Sequence, residues 1–135
     1  MAEITKVEFL DKDGEVKNVF EAGDDITARI FYKTKKIITK PVFGVAVYTQ
    51  DGIAISGPNT RTSKFEISPI EGDGYIDFCI LNNPFFPGKY HFTSGIYEWN
   101  CIVPFDIKAK AHNFTIFSSE EKQYGLVKMN HQWKE

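Results

Sequence analysis

Apolar and polar residues alternate along almost the whole chain, and turn-forming residues interrupt the alternation about every eight to twelve positions. A period of two places successive side chains on opposite faces of an extended strand, whereas an amphipathic helix requires a period of about 3.6. The clearest example is the segment in which Ile76, Phe78 and Ile80 alternate with Tyr75, Asp77 and Cys79. Helical spacing occurs nowhere convincingly. The pattern therefore predicts an all-β protein.

The predicted strands are bounded by clusters of Gly, Pro, Asn, Asp and Ser, which favour turns. They cover residues 4–10, 16–20, 26–32, 42–48, 53–56, 63–67, 75–81, 90–97, 106–117 and 127–133. A kink or bulge is expected at Ala111-His112-Asn113, and the segment Glu71-Gly72-Asp73-Gly74 is expected to be a turn. About nine or ten strands is the number typical of an immunoglobulin-like or jelly-roll-type antiparallel β-sandwich.

Four lysines follow the third predicted strand, at positions 33, 35, 36 and 40, and form the only concentration of basic residues in the chain. We interpret them as a solvated connection rather than a phosphate-binding patch. The net charge of −2 and the isoelectric point near 5.9 also argue against nucleic acid as the main partner.

Length and composition indicate one folded domain over residues 1–135, because a chain of this size has little material for a second core. The residues are 42% hydrophobic and 15% aromatic, unlike those of disordered chains. Neither a signal peptide nor a run of about 18 apolar residues is present. Cys79 and Cys101 are expected to be free thiols in a reducing compartment, although the sequence leaves one disulfide open.

Motifs for catalysis, metal binding and cofactor binding are absent. Residues 52–57 have the spacing of the first half of a phosphate-binding loop, but Pro58 and Asn59 stand where Lys and Ser or Thr are required. His91, His112 and His131 fall on separate predicted strands. We therefore expect a non-catalytic protein without metal or cofactor. The alternative is a small glycosidase or lyase with two converging carboxylates, such as Asp77 and Glu98.

Polar and aromatic residues share the positions that alternation assigns away from the core. If Ile76, Phe78 and Phe92 point inward, one outer face is expected to carry the candidate ligand-binding residues Tyr75, Asp77, His91, Thr93, Tyr97 and Trp99. Sugars present flat C–H faces ringed by hydroxyls, so aromatic rings beside polar groups suit them, and Gly95 would leave a shallow floor. Alternatively, Tyr97 and Trp99 cover the end of the core or a neighbouring chain.

The order of several short segments resembles the Wzt C-terminal domain family over essentially the whole chain. These segments are Val7-Glu8-Phe9-Leu10, Phe20-Glu21-Ala22-Gly23-Asp24, Phe43-Gly44-Val45, Asp51-Gly52, Asn59-Thr60, Pro87-Gly88-Lys89-Tyr90, Gly125-Leu126-Val127 and His131-Gln132-Trp133. The resemblance implies an immunoglobulin-like sandwich that recognises lipid-linked O-antigen polysaccharide, often at its modified non-reducing end, for export by an ABC transporter. It assigns no binding residues.

The resemblance also implies partners and a location. The domain would be the C-terminal part of an ATPase subunit whose ATPase domain precedes Met1, with a transmembrane subunit as further partner. It would act as a homodimer with an exchanged C-terminal strand, on the cytoplasmic face of the bacterial inner membrane. The alternative within this setting is a dimerisation or protein-interaction domain that does not bind glycan.

Overall fold

Eight β-strands form the framework of this computed structural model, which describes residues 2–100, 103–121 and 123–135. The strands are β1 (Ala2–Leu10), β2 (Val19–Glu21), β3 (Ile26–Ile38), β4 (Val42–Thr49), β5 (Ala54–Ser56), β6 (Ile70–Ile80), β7 (Gly88–Tyr97) and β8 (Pro104–Phe117). Within the described residues, no helix is long and apolar enough to cross a membrane.

The strands form two sheets, with the order β1-β3-β6 in one and β2-β8-β7-β4-β5 in the other. The predicted β-sandwich is confirmed, with eight strands in place of about nine or ten. Neighbouring strands are antiparallel except β2, which pairs in parallel with β8 and places Val19 opposite Thr115. The sheets pack through the inward half of each alternating pattern, which leaves two outer faces directed away from each other.

Aromatic side chains join the two sheets in the core. The ring of Phe9, on β1, lies 5.4 Å from that of Phe92 on β7 and 5.3 Å from that of Phe114 on β8. Tyr90 stacks on Phe114, with 5.6 Å between the ring centroids. Phe92 and Phe114 are fully buried. The predicted inward face of β7 is thus confirmed, and it fixes which side chains of that strand face outward.

Two stretches that the sequence placed in loops belong to long strands instead. The lysines at 33, 35 and 36 lie in β3, where they are exposed. Residues 71–74 lie in β6, and residues 72–74 of this stretch pair with residues 32–34 of β3. Long-range pairing overrides the local turn preference here, since the amide of Gly72 donates to Thr34 Oγ1 at 3.0 Å. Conversely, residues 63–67 are not a strand, because Lys64 adopts a positive φ of 56° in a turn.

The predicted last strand, residues 127–133, is also not formed. Its one ladder contact is an isolated bridge between Phe85 and Val127, and Lys128 N donates to Pro84 O. A segment becomes a strand only when it pairs along its length with another, and this segment lies beside no sheet edge for more than one residue. Met129 and Trp133 consequently remain 75% and 92% exposed.

Candidate functional site

The six candidate ligand-binding residues divide between opposite surfaces of the sandwich. His91, Thr93 and Tyr97 lie on the outer face of β7, in the five-stranded sheet. Tyr75 and Asp77 lie on the outer face of β6, in the three-stranded sheet. The expectation of one shared face is therefore wrong. Alternation correctly predicted that these strand residues point away from the core. It could not predict which of the two sheets, and therefore which outer face of the sandwich, each strand belongs to.

Tyr75 and Asp77 are already engaged with a neighbour from β3. The carboxylate of Asp77 accepts two hydrogen bonds from Arg29, at 2.9 and 3.0 Å, and the guanidinium carbon lies 4.2 Å from the centre of the Tyr75 ring. The hydrogen bonds that Arg29 donates to Asp77 raise the pKa of Arg29. These contacts hold the outer surface of the three-stranded sheet together and leave the Asp77 carboxylate little capacity for a ligand.

A groove of about 330 Å³ lies on the outer face of the five-stranded sheet. Its floor comes from β4 and β7, where Ala46 pairs with Thr93, while the Tyr97 ring covers the paired Gly44 and Gly95. Since the outward side chains along these strands are small in the middle and large at the ends, the sheet surface is hollow between them. The groove is lined by Gly44, Val45, Ala46, Tyr48, Gly57, Pro58, Asn59, Thr93 and Tyr97.

Tyr97 borders one end of the groove, and its ring lies on two glycines. A Cβ atom at Gly95 would stand 2.7 Å from Cε1 of the ring, and one at Gly44 would stand 3.2 Å from the same atom. Any larger residue at 95 would collide with the ring where it now lies. The pair of glycines thus sets the height and tilt of this tyrosine over the sheet.

The side wall is a loop tied to the edge of β4. Val45 N donates to Pro58 O at 3.0 Å. The amide of Thr60 donates to Phe43 O, and the amide of Phe43 donates to Thr60 Oγ1. Asn59 Oδ1 accepts from the amide of Thr62 at 2.8 Å. Asn59 and Thr60 thus hold the loop together, and the wall is consequently fixed to the sheet.

A bulge in β8 borders the groove on its other side. The register shifts between Phe92 and Ser94, opposite Lys110, which adopts a positive φ of 50°. The amide of Lys110 donates to Thr93 Oγ1 at 2.9 Å, and its Nζ lies 4.7 Å from the centre of the Tyr48 ring. The bulge is thus next to the predicted irregularity at residues 111–113, and it carries a cation to the groove.

Trp99 follows β7 at the Tyr97 end of the groove. Its carbonyl accepts a hydrogen bond of 2.7 Å from Arg61 Nη1, and Lys40 Nζ lies 5.6 Å from its ring. Because Arg61 belongs to the turn that follows the wall loop, this bond places Trp99 beside that end of the groove. The indole is 45% exposed, which leaves it accessible from the solvent.

Comparison with known proteins decides the family. The family model of the Wzt C-terminal domain matches residues 1–129. The chain belongs to the Wzt C-terminal domain family. A crystal structure of the C-terminal domain of Wzt superimposes with a TM-score of 0.87 at 16% identity, covering 99% of this chain and 83% of that one. No curated protein sequence matches the chain.

Parts of two larger proteins share the architecture of this Wzt domain. A β-glucuronidase from glycoside hydrolase family 2 matches with a TM-score of 0.51 at 16% identity, over 79% of this chain and 12% of that one. A calcium-binding mutant of Bacteroides uniformis β-glucuronidase 2 matches with a TM-score of 0.52 at 10% identity, over 84% and 14% of the two chains. At these identities, the matches indicate the sandwich fold alone.

The three histidines of the Wzt domain occupy separate environments. His91 lies on the outer face between Tyr48 and Asn113, and its Nδ1 is buried without a hydrogen-bond partner in the described structure. His112 pairs with Phe92 on β7, and burial, assisted by the charge of Lys108, lowers its pKa. The part of the chain that the structure describes holds no group of three or more residues suited to a metal ion.

A second cavity, of about 380 Å³, lies at the end of the Wzt domain where β2 and the C-terminal segment meet. Its lining includes Glu21, Glu120 and Glu121. About half of the lining residues lie after β8, in a segment that forms no strand. The groove on the five-stranded sheet differs from this cavity, because its floor is built from paired strands.

The residues at the groove that sequence reasoning missed include Gly44, Ala46, Tyr48 and Lys110. A signal for three of them is present in the sequence, because Gly44, Ala46 and Tyr48 alternate with buried valines in β4. The nearly continuous apolar run concealed this alternation. Lys110 had no comparable signal, since only the bulge brings it to the groove. Cys79 is an exposed free thiol, and Cys101 lies outside the described residues.

Proposed function

We propose that this Wzt domain binds lipid-linked O-antigen polysaccharide in the groove of the five-stranded sheet, at the non-reducing end of the glycan, and so selects the substrate of an ABC exporter. Membership of the Wzt C-terminal domain family supports the transporter setting. The observation that supports the site is the pairing of a floor of small residues with a tyrosine at each end, Tyr48 and Tyr97.

The chemistry of the groove suits a sugar. The two tyrosine rings offer apolar faces to sugar C–H groups, and their hydroxyls can exchange hydrogen bonds with sugar hydroxyls. Ala46 and Thr93 leave room for a pyranose to approach the sheet beside the Tyr97 ring, while Thr93, His91 and Asn59 provide polar atoms nearby. No chemical step is needed for this role. We accordingly propose binding without catalysis and without a cofactor in this domain.

Binding at one such groove is expected to be weak. The groove is shallow and open to water, so that a bound sugar keeps part of its hydration and buries little area. Two domains that bind glycan together would compensate for the weak affinity of one groove. Once the first groove is occupied, the second meets the glycan at a high local concentration. In the proposed setting, two copies belong to one transporter on the cytoplasmic face of the bacterial inner membrane, each with an ATPase domain before Met1.

A comparison of tyrosines on the two outer faces tests this proposal. Tyr48→Ala and Tyr97→Ala should each weaken binding of the source organism's O-polysaccharide by about ten-fold or more, measured by isothermal titration calorimetry. Tyr75→Ala, on the opposite sheet, is the matched control and should bind like the parent domain. Loss of binding in Tyr75→Ala alone would move the site to the three-stranded sheet.

A second candidate function, dimerisation, is supported by the C-terminal segment. Leu126, Val127, Met129 and Trp133 expose large apolar side chains in a segment that bridges its own chain only at Val127. Such a segment gains both hydrogen bonds and buried area if it adds to a sheet edge of a second copy. We therefore propose a homodimer with an exchanged C-terminal segment, alongside glycan binding.

Deletion of residues 126–135 separates the two roles. The shortened domain should become monomeric by light scattering while its groove still binds the polysaccharide, with lower avidity in a surface assay. Trp133→Ser is the milder companion variant and should weaken the dimer without shortening the chain. If the deletion abolished glycan binding per site as well, the segment itself would be part of the glycan site.

A further inference from the structure

Lys110 occupies an unusual place beside the groove. It is one of three non-glycine residues with a positive φ in the described chain, a conformation that is unfavourable for a residue with a Cβ. The bulge turns its side chain across the outer face, where Nζ lies 4.7 Å from the centre of the Tyr48 ring. Gly52 approaches the same ammonium group, since a Cβ there would stand 3.7 Å from Nζ.

The charge of Lys110 is not neutralised inside the domain. Among the described residues, the ion pairs of lysine and arginine involve Lys6, Lys17, Arg29 and Lys108, and none involves Lys110. The residues that line the groove include no Asp or Glu. Asp51 lies in the turn after β4, but among the described residues it forms no ion pair with Lys110.

The opposite end of the groove carries positive charge as well. Arg61 and Lys40 flank Trp99 through a hydrogen bond and a cation–π contact, and neither forms an ion pair in the described structure. Glu98 is the acidic residue on this side, next to Trp99 in the chain. In a protein of net charge −2, a groove without Asp or Glu in its lining thus has three cations beside it, and none of the three forms an ion pair among the described residues.

We propose that the glycan recognised in this groove is acidic, and that Lys110 contacts its anionic group, a carboxylate of a uronic acid or a phosphate. This inference rests on the proposed glycan-binding function. Lys110 Nζ beside the Tyr48 ring would meet the anion while the ring contacts the sugar that carries it. An ammonium group supplies up to three hydrogen bonds to such an anion without requiring one fixed geometry. Arg61 and Lys40 would add attraction over a longer range.

The test compares three forms of the source organism's O-polysaccharide: native, carboxyl-reduced and dephosphorylated. The parent domain should bind the native form, and removal of the correct anion should weaken the affinity by about five-fold, as for a partly exposed charge pair. Added salt should weaken binding of the native form more than that of the neutralised form. The derivative that loses affinity identifies the anion as carboxylate or phosphate.

Variants of Lys110 complete the test. Lys110→Asn removes the charge but tolerates the positive φ, so the bulge should remain, and it should bind the native and neutralised glycans equally. Lys110→Arg should retain the preference for the native form. Lys36→Asn, which removes an exposed lysine from the three-stranded sheet, should behave like the parent domain.

Two results would overturn the inference in distinguishable ways. If all three forms bind the parent domain equally, or if Lys110→Asn keeps the full preference, the glycan is not read by its charge, although the groove still binds it. If no form of the polysaccharide binds the parent domain, the glycan-binding function fails, and the acidic substrate fails with it.

Discussion

The ring of Tyr97 covers Gly95, two residues before it on the same outward face of β7. The approach is close enough that a Cβ at position 95 would lie 2.7 Å from Cε1 and 2.9 Å from Oη of the ring. Tyr97 also covers Gly44, the cross-strand partner of Gly95 on β4. One aromatic ring is thus positioned by two adjacent strands, and the shape of the groove depends on both.

Gly95→Ala should therefore reduce glycan binding by about ten-fold, because the new methyl group displaces the Tyr97 ring from the groove end. The fold itself should tolerate the change, since the ring can swing outward into solvent. Tyr75→Ala, on the outer face of the opposite three-stranded sheet, is the control, because this side chain lies away from the groove. Calorimetric titration of both variants checks the prediction, and equal affinities in the two would contradict it.

Phe114→Ala should lower the free energy of unfolding by about 3–5 kcal/mol. Phe114 is fully buried and contacts Phe9 across the sandwich, Tyr90 along the sheet and Phe85 at one end. Removal of its ring leaves a cavity that three other rings border. Urea denaturation measures the loss. Phe65→Ala, at a position that is 60% exposed, is the control and should change stability by less than about 0.5 kcal/mol.

Stability should fall as the pH drops below about 6.5, and His112 should cause part of the decrease. Burial lowers the pKa of this imidazole below its ordinary value of 6.5, so the unfolded chain binds the proton more readily than the folded one. The stabilising contribution is complete above that value and is lost as the pH falls through the folded-state pKa.

Urea denaturation at pH 7.5 and pH 5.5 checks this dependence. His112→Phe should flatten the difference between the two conditions, whereas His131→Gln, at an exposed position, should leave it unchanged. The pKa of Asp11 is lowered chiefly by its hydrogen bond with Lys17, so this residue affects stability only below its ordinary pKa of 3.8. It therefore does not contribute to the difference in stability between pH 7.5 and pH 5.5. An unaltered pH dependence in His112→Phe would refute the role of this histidine.

The sequence predicted the strands of the framework well where alternation was strong. In β7 the inward residues Tyr90, Phe92 and Ile96 are buried as expected, because period two is a direct consequence of the extended backbone. It could not predict that β6 joins β3 while β7 joins β4. That choice comes from long-range pairing, and it separated Tyr75 and Asp77 from the other candidate residues.

The groove was only partly predictable for a similar reason. Thr93 and Tyr97 followed from one strand, but the shallow floor expected at Gly95 is covered by the Tyr97 ring. A groove also requires neighbouring strands, and Ala46 and Tyr48 lie across a ladder whose register the sequence does not state. The C-terminal segment shows the opposite case, in which the sequence predicts a strand that does not form. Residues 127–133 alternate like a strand, yet alternation describes only a preference, and a strand forms where a partner edge is present.

A chemical-shift titration tests the central claim, binding of glycan on the five-stranded sheet, most directly. The whole chain, labelled with ¹⁵N, would be titrated with the source organism's O-polysaccharide. The account predicts saturable changes at the amides of Ala46, Thr93 and Tyr97, and unchanged signals at Tyr75 and Asp77. Changes confined to Tyr75 and Asp77, or no change anywhere at saturating polysaccharide, would contradict it.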